Sequence, residues 1–268
     1  MEIAAHIDAL ERDGALLADA ATAAGLIQSV PTCPGWQVRD LVRHQAYVHQ
    51  WAARYVTERP PTVLGGDDED AVLAGGPPDA ELIGAYRSGH AALVATLRAA
   101  DPDLDCATFM PAPSPLAFWA RRQAHETAIH RYDAQSAAAG GAPTPGDAFD
   151  TAFADDGIDE LVMGFAARRR YRLRDDGTLS LTVRATDTGN GWRISLADGA
   201  TKVARRGDAG DEADAAAVTA SGGCLLEGPA AGIYAYLWNR SDAAAAAAAI
   251  SGNPAALDAW RASVRVTW

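Results

Sequence analysis

Residues 124–135 read AHETAIHRYDAQ, a segment dense in groups that bind metals or move protons. His125 followed by Glu126 invites comparison with the H-E-x-x-H motif of zinc proteases, but the next histidine falls at 130, one residue late. Five residues of α-helix turn through roughly 140° beyond a full circle, so His125 and His130 cannot hold one metal from one helix. Glu126 and His130 are four apart and about 40° off in projection, so their side chains share a face. A carboxylate and an imidazole directed the same way are either a buried hydrogen-bonded pair or two ligands of one metal.

A third candidate ligand stands in the segment TCPGWQVRDLVRHQAYVHQWAARYV. A helix starting near Val38 puts Leu41, Val48, Trp51 and Tyr55 on one stripe, with His44 in its middle and His49 roughly 100° away, on the flank. Further along, Leu116, Trp119, Gln123, Glu126, His130 and Ala137 share a face, while His125 lies with Phe118, Ile129 and Tyr132 on another. His44 alone reads as a core histidine bonded to a neighbouring helix. An inward Glu and His are costly unless paired or metal-bound. Together, His44, Glu126 and His130 offer two imidazoles and a carboxylate toward one interior, a set suited to zinc or another divalent metal with a fourth position open. Cys33, Cys106 and Cys224 are odd in number, far apart and outside this triad, so neither a disulfide framework nor a cysteine ligand is expected.

The elements that must carry these residues follow from periodicity. Apolar residues recur at helical spacing over roughly 2–25, 37–57, 79–100 and 115–139, with Pro-, Gly- and Asp-rich connections. Four such helices predict a bundle. The stretch AAAGGAPTPGD reads as a linker, which gives a bundle domain over 1–140 and an α+β domain over 150–268. In the second domain a helix is expected at about 151–169. TLSLTVRAT and GWRISLA alternate apolar and polar residues around the turn DTGNG and predict a hairpin. A third strand is expected around AAAVTAS and helices near 223–239 and 253–263, with SDAAAAAAAI a helical or turn segment.

The 268 residues are 49% apolar and carry a formal net charge of −12, with a pI near 4.8. That balance argues against nucleic acid, whose phosphates demand clustered Lys and Arg. The one basic run, RRRYRLR at 168–174, reads as a solvated helix end. No apolar stretch approaches a membrane span and the amino terminus lacks a leader pattern, so a cytoplasmic protein without a membrane partner is expected, a monomer or dimer.

VPTCPGWQVRDLVRHQAYVHQWA followed by FWARRQAHETAIHRYDAQSAA resembles the mycothiol-dependent maleylpyruvate isomerase family. CLLEGPAAGIYAYLWNRSDA and ISGNPAALDAWRASV are similar to that family's second domain, so the likeness spans nearly the whole chain. The resemblance implies a DinB-like four-helix bundle followed by an α+β domain. It implies zinc ligands at the histidine of the DLVxH helix and in E-x-x-x-H, which are His44, Glu126 and His130 here. It further implies mycothiol as a low-molecular-weight thiol cosubstrate, held as a metal-bound thiolate, for transfer to or isomerisation of a small electrophilic substrate. The family places a functional arginine in its second domain, which implies a carboxylate-binding role for Arg240; as a helix-end arginine it reads equally as stabilising the C-terminal dipole. Gln37 stands where the family usually has Ser or Thr, and Gln45 where it commonly has Leu. Two other readings stay open: a zinc hydrolase with the same triad and no thiol, and a non-catalytic ligand-binding protein.

Overall fold

The computed structural model describes residues 1–65, 74–168, 179–197, 200–206 and 215–264. The chain divides into two compact units, Met1–Pro143 and a second beginning at Thr144. The first holds four helices among its described residues: α1 (Ile3–Ala24), α2 (Val38–Glu58), α3 (Asp79–Arg98) and α4 (Pro115–Ala139). α1 buries Ile7, Leu10, Leu17 and Ala21, spaced as one stripe of a 3.6-residue repeat. Leu17, Val30, Leu41, Val42, Leu82, Tyr86 and Ala137 belong to one apolar cluster that joins all four helices.

Caps fix where the site-bearing helices begin. Gln37 precedes α2 without a hydroxyl, and Asp40 takes over: its Oδ2 accepts the backbone N–H of Gln37 at 2.8 Å, one half of a capping box. Ser114 caps α4 by accepting the N–H of Ala117 at 3.1 Å, and Pro115 fills the first helical position, where a missing N–H costs nothing. Gly140 closes α4 at φ 72°, a left-handed conformation that favours glycine. α2 and α4 run antiparallel. Tyr55 stacks on Trp119 at 4.2 Å between ring centroids toward one end, and His44 meets Glu126 toward the other.

The second unit has short helices α5 (Pro145–Ala148) and α6 (Thr151–Asp159), the latter continuing as a π-helical stretch over Glu160–Ala166. Among the described residues five strands follow, β1 (Leu179–Ala185), β2 (Gly191–Ala197), β3 (Ala200–Arg205), β4 (Cys224–Gly228) and β5 (Ala249–Gly252), in the sheet order β3-β2-β1-β4-β5. β1 and β2 form the expected hairpin, with Val183 opposite Trp192, and β4 lies parallel to β1. Between β3 and β4 sits α7 (Ala215–Ala220); α8 (Ala230–Leu237) and α9 (Ala255–Ser263) complete the unit. In the hairpin turn, Asp187 Oδ1 accepts the N–H of Ala230 at 3.0 Å and so caps α8. The whole is a helical N-terminal region and an α+β C-terminal one, as the sequence predicts.

Several elements differ from expectation. AAAVTAS is the helix α7, not a strand, because alanine is the best helix former and a poor strand former. The third strand lies instead at Ala200–Arg205, antiparallel to β2. The region near 223–239 is not one helix. Cys224–Gly228 is a strand whose residues are buried except Glu227, and a short, mostly apolar run of this kind cannot be told from a buried helix by periodicity. The alanine run turns and then enters β5. Of the basic run at 168–174, only Arg168 lies within the described residues. No helix among the described residues is long and apolar enough to cross a membrane.

Candidate metal centre

α2 and α4 bring His44, Glu126 and His130 together in the first unit, all three buried. The Oε1 atom of Glu126 lies 3.3 Å from His44 Nε2 and 3.2 Å from His130 Nε2. Tetrahedral zinc with bonds of about 2.0–2.1 Å sets neighbouring ligand atoms about 3.3 Å apart, so the donor types fit the ion and the two Glu–His separations match it. The two imidazole rings meet edge to face at 4.9 Å, and Trp36 covers both, tilted at 5.1 Å over His44 and stacked at 6.1 Å over His130. His125 has no part in this group. It is fully buried on another face, its ring 5.9 Å from that of His6.

The electrostatics are those of a compensated buried carboxylate. Burial by itself would push the Glu126 carboxyl up, but hydrogen bonds from His130 and His44 and the charges of His130 and Arg122 outweigh it and hold it well below the usual range. Arg122, one turn earlier on α4, donates from Nη2 to Glu126 Oε2 at 2.9 Å. For His130 burial pulls down, and its bonds to Asp133 and Glu126 pull up more strongly, to about 8 in the metal-free protein. Asp133 Oδ2 accepts from His130 Nδ1 at 2.9 Å, which leaves Nε2 facing Glu126 and His44. A carboxylate behind a ligating histidine in this way fixes its tautomer and ring orientation.

Asp133 is held in turn by the loop before α2. Its Oδ1 accepts from Thr32 Oγ1 at 2.6 Å and its Oδ2 from Cys33 Sγ at 3.2 Å. Cys33, His130 and Asp133 thus form a second set of closely placed ligand-type atoms sharing His130. Hydrogen bonding accounts for this second set, whereas His44, Glu126 and His130 present both imidazole Nε2 atoms to one carboxylate oxygen. Arg122, Asp133 and Thr32 escaped the sequence reading, although Asp133 at i+3 and Arg122 at i−4 from the ligands carry the helical-neighbour signal. Cys33, set aside from the triad, borders the centre.

Beside the centre a second polar layer ties the same two helices. Gln45 Nε2 donates to Thr127 Oγ1 at 3.1 Å and lies 2.8 Å from His49 Nε2, which is itself 2.9 Å from Thr127 Oγ1. His49, expected on the helix flank, is fully buried against Tyr86 and His90 of α3, at 5.5 and 5.2 Å between ring centroids. Burial and the adjacent His90 keep its pKa well below the ordinary histidine value. In the second unit, Arg240 follows α8 half-buried, its Nη1 donating to the carbonyl of Trp238 at 3.0 Å.

Two family models match the chain. The mycothiol maleylpyruvate isomerase N-terminal domain covers residues 7–135, and the MDMPI C-terminal domain covers residues 152–259. Among solved structures, the crystal structure of the mycothiol-dependent maleylpyruvate isomerase is similar at a TM-score of 0.60 and 14% identity, over 90% of each chain. A histidine-to-alanine mutant of that enzyme gives 0.61, again at 14% identity and 90% of each chain. At such identity the likeness is one of fold. No curated protein matches this chain significantly in sequence.

Proposed function

This chain belongs to the mycothiol maleylpyruvate isomerase family, and from that premise we propose that it is a zinc-dependent enzyme using mycothiol as a thiol cosubstrate. The reaction proposed is isomerisation of a small electrophile with an activated double bond, or thiol transfer to one. The observation that carries the reading is the approach of His44 Nε2 and His130 Nε2 to the single oxygen Glu126 Oε1, at 3.3 and 3.2 Å. His44, Glu126 and His130 would hold the metal. When bound, zinc with three protein ligands supplies a Lewis acid that lowers the pKa of a thiol in its open position, so a nucleophile exists at neutral pH.

The chain's own residues set the stage for that step. Asp133 directs His130, and Trp36 shields both imidazoles from water. Cys33 donates to Asp133 and stands outside the His44–Glu126–His130 set, which favours an external thiol as the nucleophile. Arg240 is our candidate for orienting an anionic substrate, a role carried by the family resemblance alone. Metal analysis of freshly purified protein, followed by titration with mycothiol or a close mimic, tests the reading. About one zinc per chain and turnover that requires the thiol are expected. Turnover unchanged without any thiol would transfer the case to a hydrolase. Zinc present with no thiol bound at millimolar concentration would leave a non-catalytic protein.

A further inference from the structure

Arg122 is fully buried on α4, and nothing in the proposed reaction uses it. Its Nη2 lies 2.9 Å from Glu126 Oε2, while the other oxygen, Oε1, faces His44 and His130. The two oxygens of one carboxylate therefore have different partners. A carboxylate can offer a cation one oxygen or both, and the second oxygen takes up a position that a substrate or thiol would otherwise fill. A guanidinium on Oε2 competes for its lone pairs with a strong charge-assisted bond. The pair is separated by one helical turn and both side chains are packed to less than 3% exposure, so neither swings away readily.

We infer that Arg122 is a positioning residue that keeps Glu126 a one-oxygen ligand and so keeps a coordination position open. This deepens the metal reading given above and rests on it. Removing the guanidinium frees Oε2 to turn onto the metal, which raises the coordination number and closes the open position. It also leaves a buried carboxylate less compensated, so the apo protein loses some stability. A purely structural role for Arg122 would produce only that second effect.

Cobalt(II) loaded into the full chain separates the two roles, because four-coordinate cobalt absorbs visible light far more strongly than five- or six-coordinate cobalt. The wild-type protein should show the intense bands. Arg122→Met should lose most of that intensity as both Glu126 oxygens turn onto the metal. Arg122→Lys, which restores a cation near Oε2, should recover much of it. An Arg122→Met protein that melts earlier but keeps the wild-type spectrum overturns the inference and leaves the metal reading intact. Weak bands in the wild type overturn it in the same way. A wild-type chain that takes up no cobalt or zinc overturns both. Should Arg122→Met fail to fold, a crystal structure of the zinc-loaded wild type decides: one Glu126 oxygen on zinc and the other on Arg122 supports the inference, and both oxygens on zinc refutes it.

Discussion

Asp133 gives His130 its direction, and the strength of the metal centre should depend on it. The carboxylate is fully buried, accepts from Thr32, Cys33 and His130, and leaves His130 Nε2 aimed at Glu126. Asp133→Asn keeps the shape but loses the charge and allows the opposite tautomer. Zinc affinity measured against a competing chelator should fall by about 10–100-fold. An unchanged affinity would show that helix packing alone orients the ring. His49 and His90 supply a second test at this scale. Burial, with His90 nearby, lowers the pKa of His49 well below 6.5, and burial lowers that of His90. Between the folded and unfolded values the unfolded chain binds more protons. Their contribution to stability is therefore complete above about pH 6.5 and is lost as the pH falls through the lowered folded values. Thermal melts of the apo protein should show a midpoint that declines from pH 7 to pH 5, and a shallower decline in His49→Gln and His90→Gln. Parallel declines in all three proteins would assign the acid sensitivity to carboxylates. The metal-type residues were legible from the sequence because helical projection alone orients His44, Glu126 and His130. Their supports were not, since Thr32 and Cys33 reach Asp133 from a loop about a hundred residues away in sequence.

Two local devices set how closely the helices of the first unit approach one another. Gly14 of α1 lies under the ring of His90 on α3, where any Cβ would meet the imidazole atoms, and the Tyr86 hydroxyl donates to its carbonyl at 3.3 Å. Gly14→Ala must push α3 outward or displace the ring, and overpacking of this kind costs about 1–3 kcal/mol. Denaturant unfolding should report that loss, and a loss below a few tenths would mean the ring moves freely. On the other side, Thr127 receives Gln45 from α2 and lies within hydrogen-bonding distance of His49. Thr127→Val keeps the shape and leaves these buried groups with fewer partners, at about 1–3 kcal/mol. Helices of this length were readable from boundary residues and apolar spacing: Ser114 and Gly140 bound α4, and Ile7, Leu10 and Leu17 mark the buried stripe of α1. The strands of the second unit were read unevenly. β1 alternates buried and half-exposed residues and declares itself, whereas β4 is apolar almost throughout and imitates a helix. Its identity depends on pairing with β1 and β5, which is tertiary information.

At the scale of the molecule, the division into two compact units and the placement of every proposed ligand in one of them make a further prediction. Each unit has its own buried apolar residues: Leu17, Leu41 and Tyr86 in the first, Leu181, Ile194 and Leu226 in the second. A ligand that binds only the folded form stabilises it by about 2.7 kcal/mol at a hundred times its dissociation constant. That free energy is available only to the structure whose unfolding scatters His44, Glu126 and His130. Calorimetry of the chelator-treated chain should therefore resolve unfolding into more than one step, since a single cooperative transition is not required of a two-unit protein. Adding zinc should raise the transition of the first unit and leave that of the second in place. His44→Ala should abolish the zinc-induced shift without moving the second transition. Two transitions that rise together on zinc addition, or a single one that rises as a whole, would show that the units unfold as one body. In that case the metal's stabilisation would belong to the entire chain.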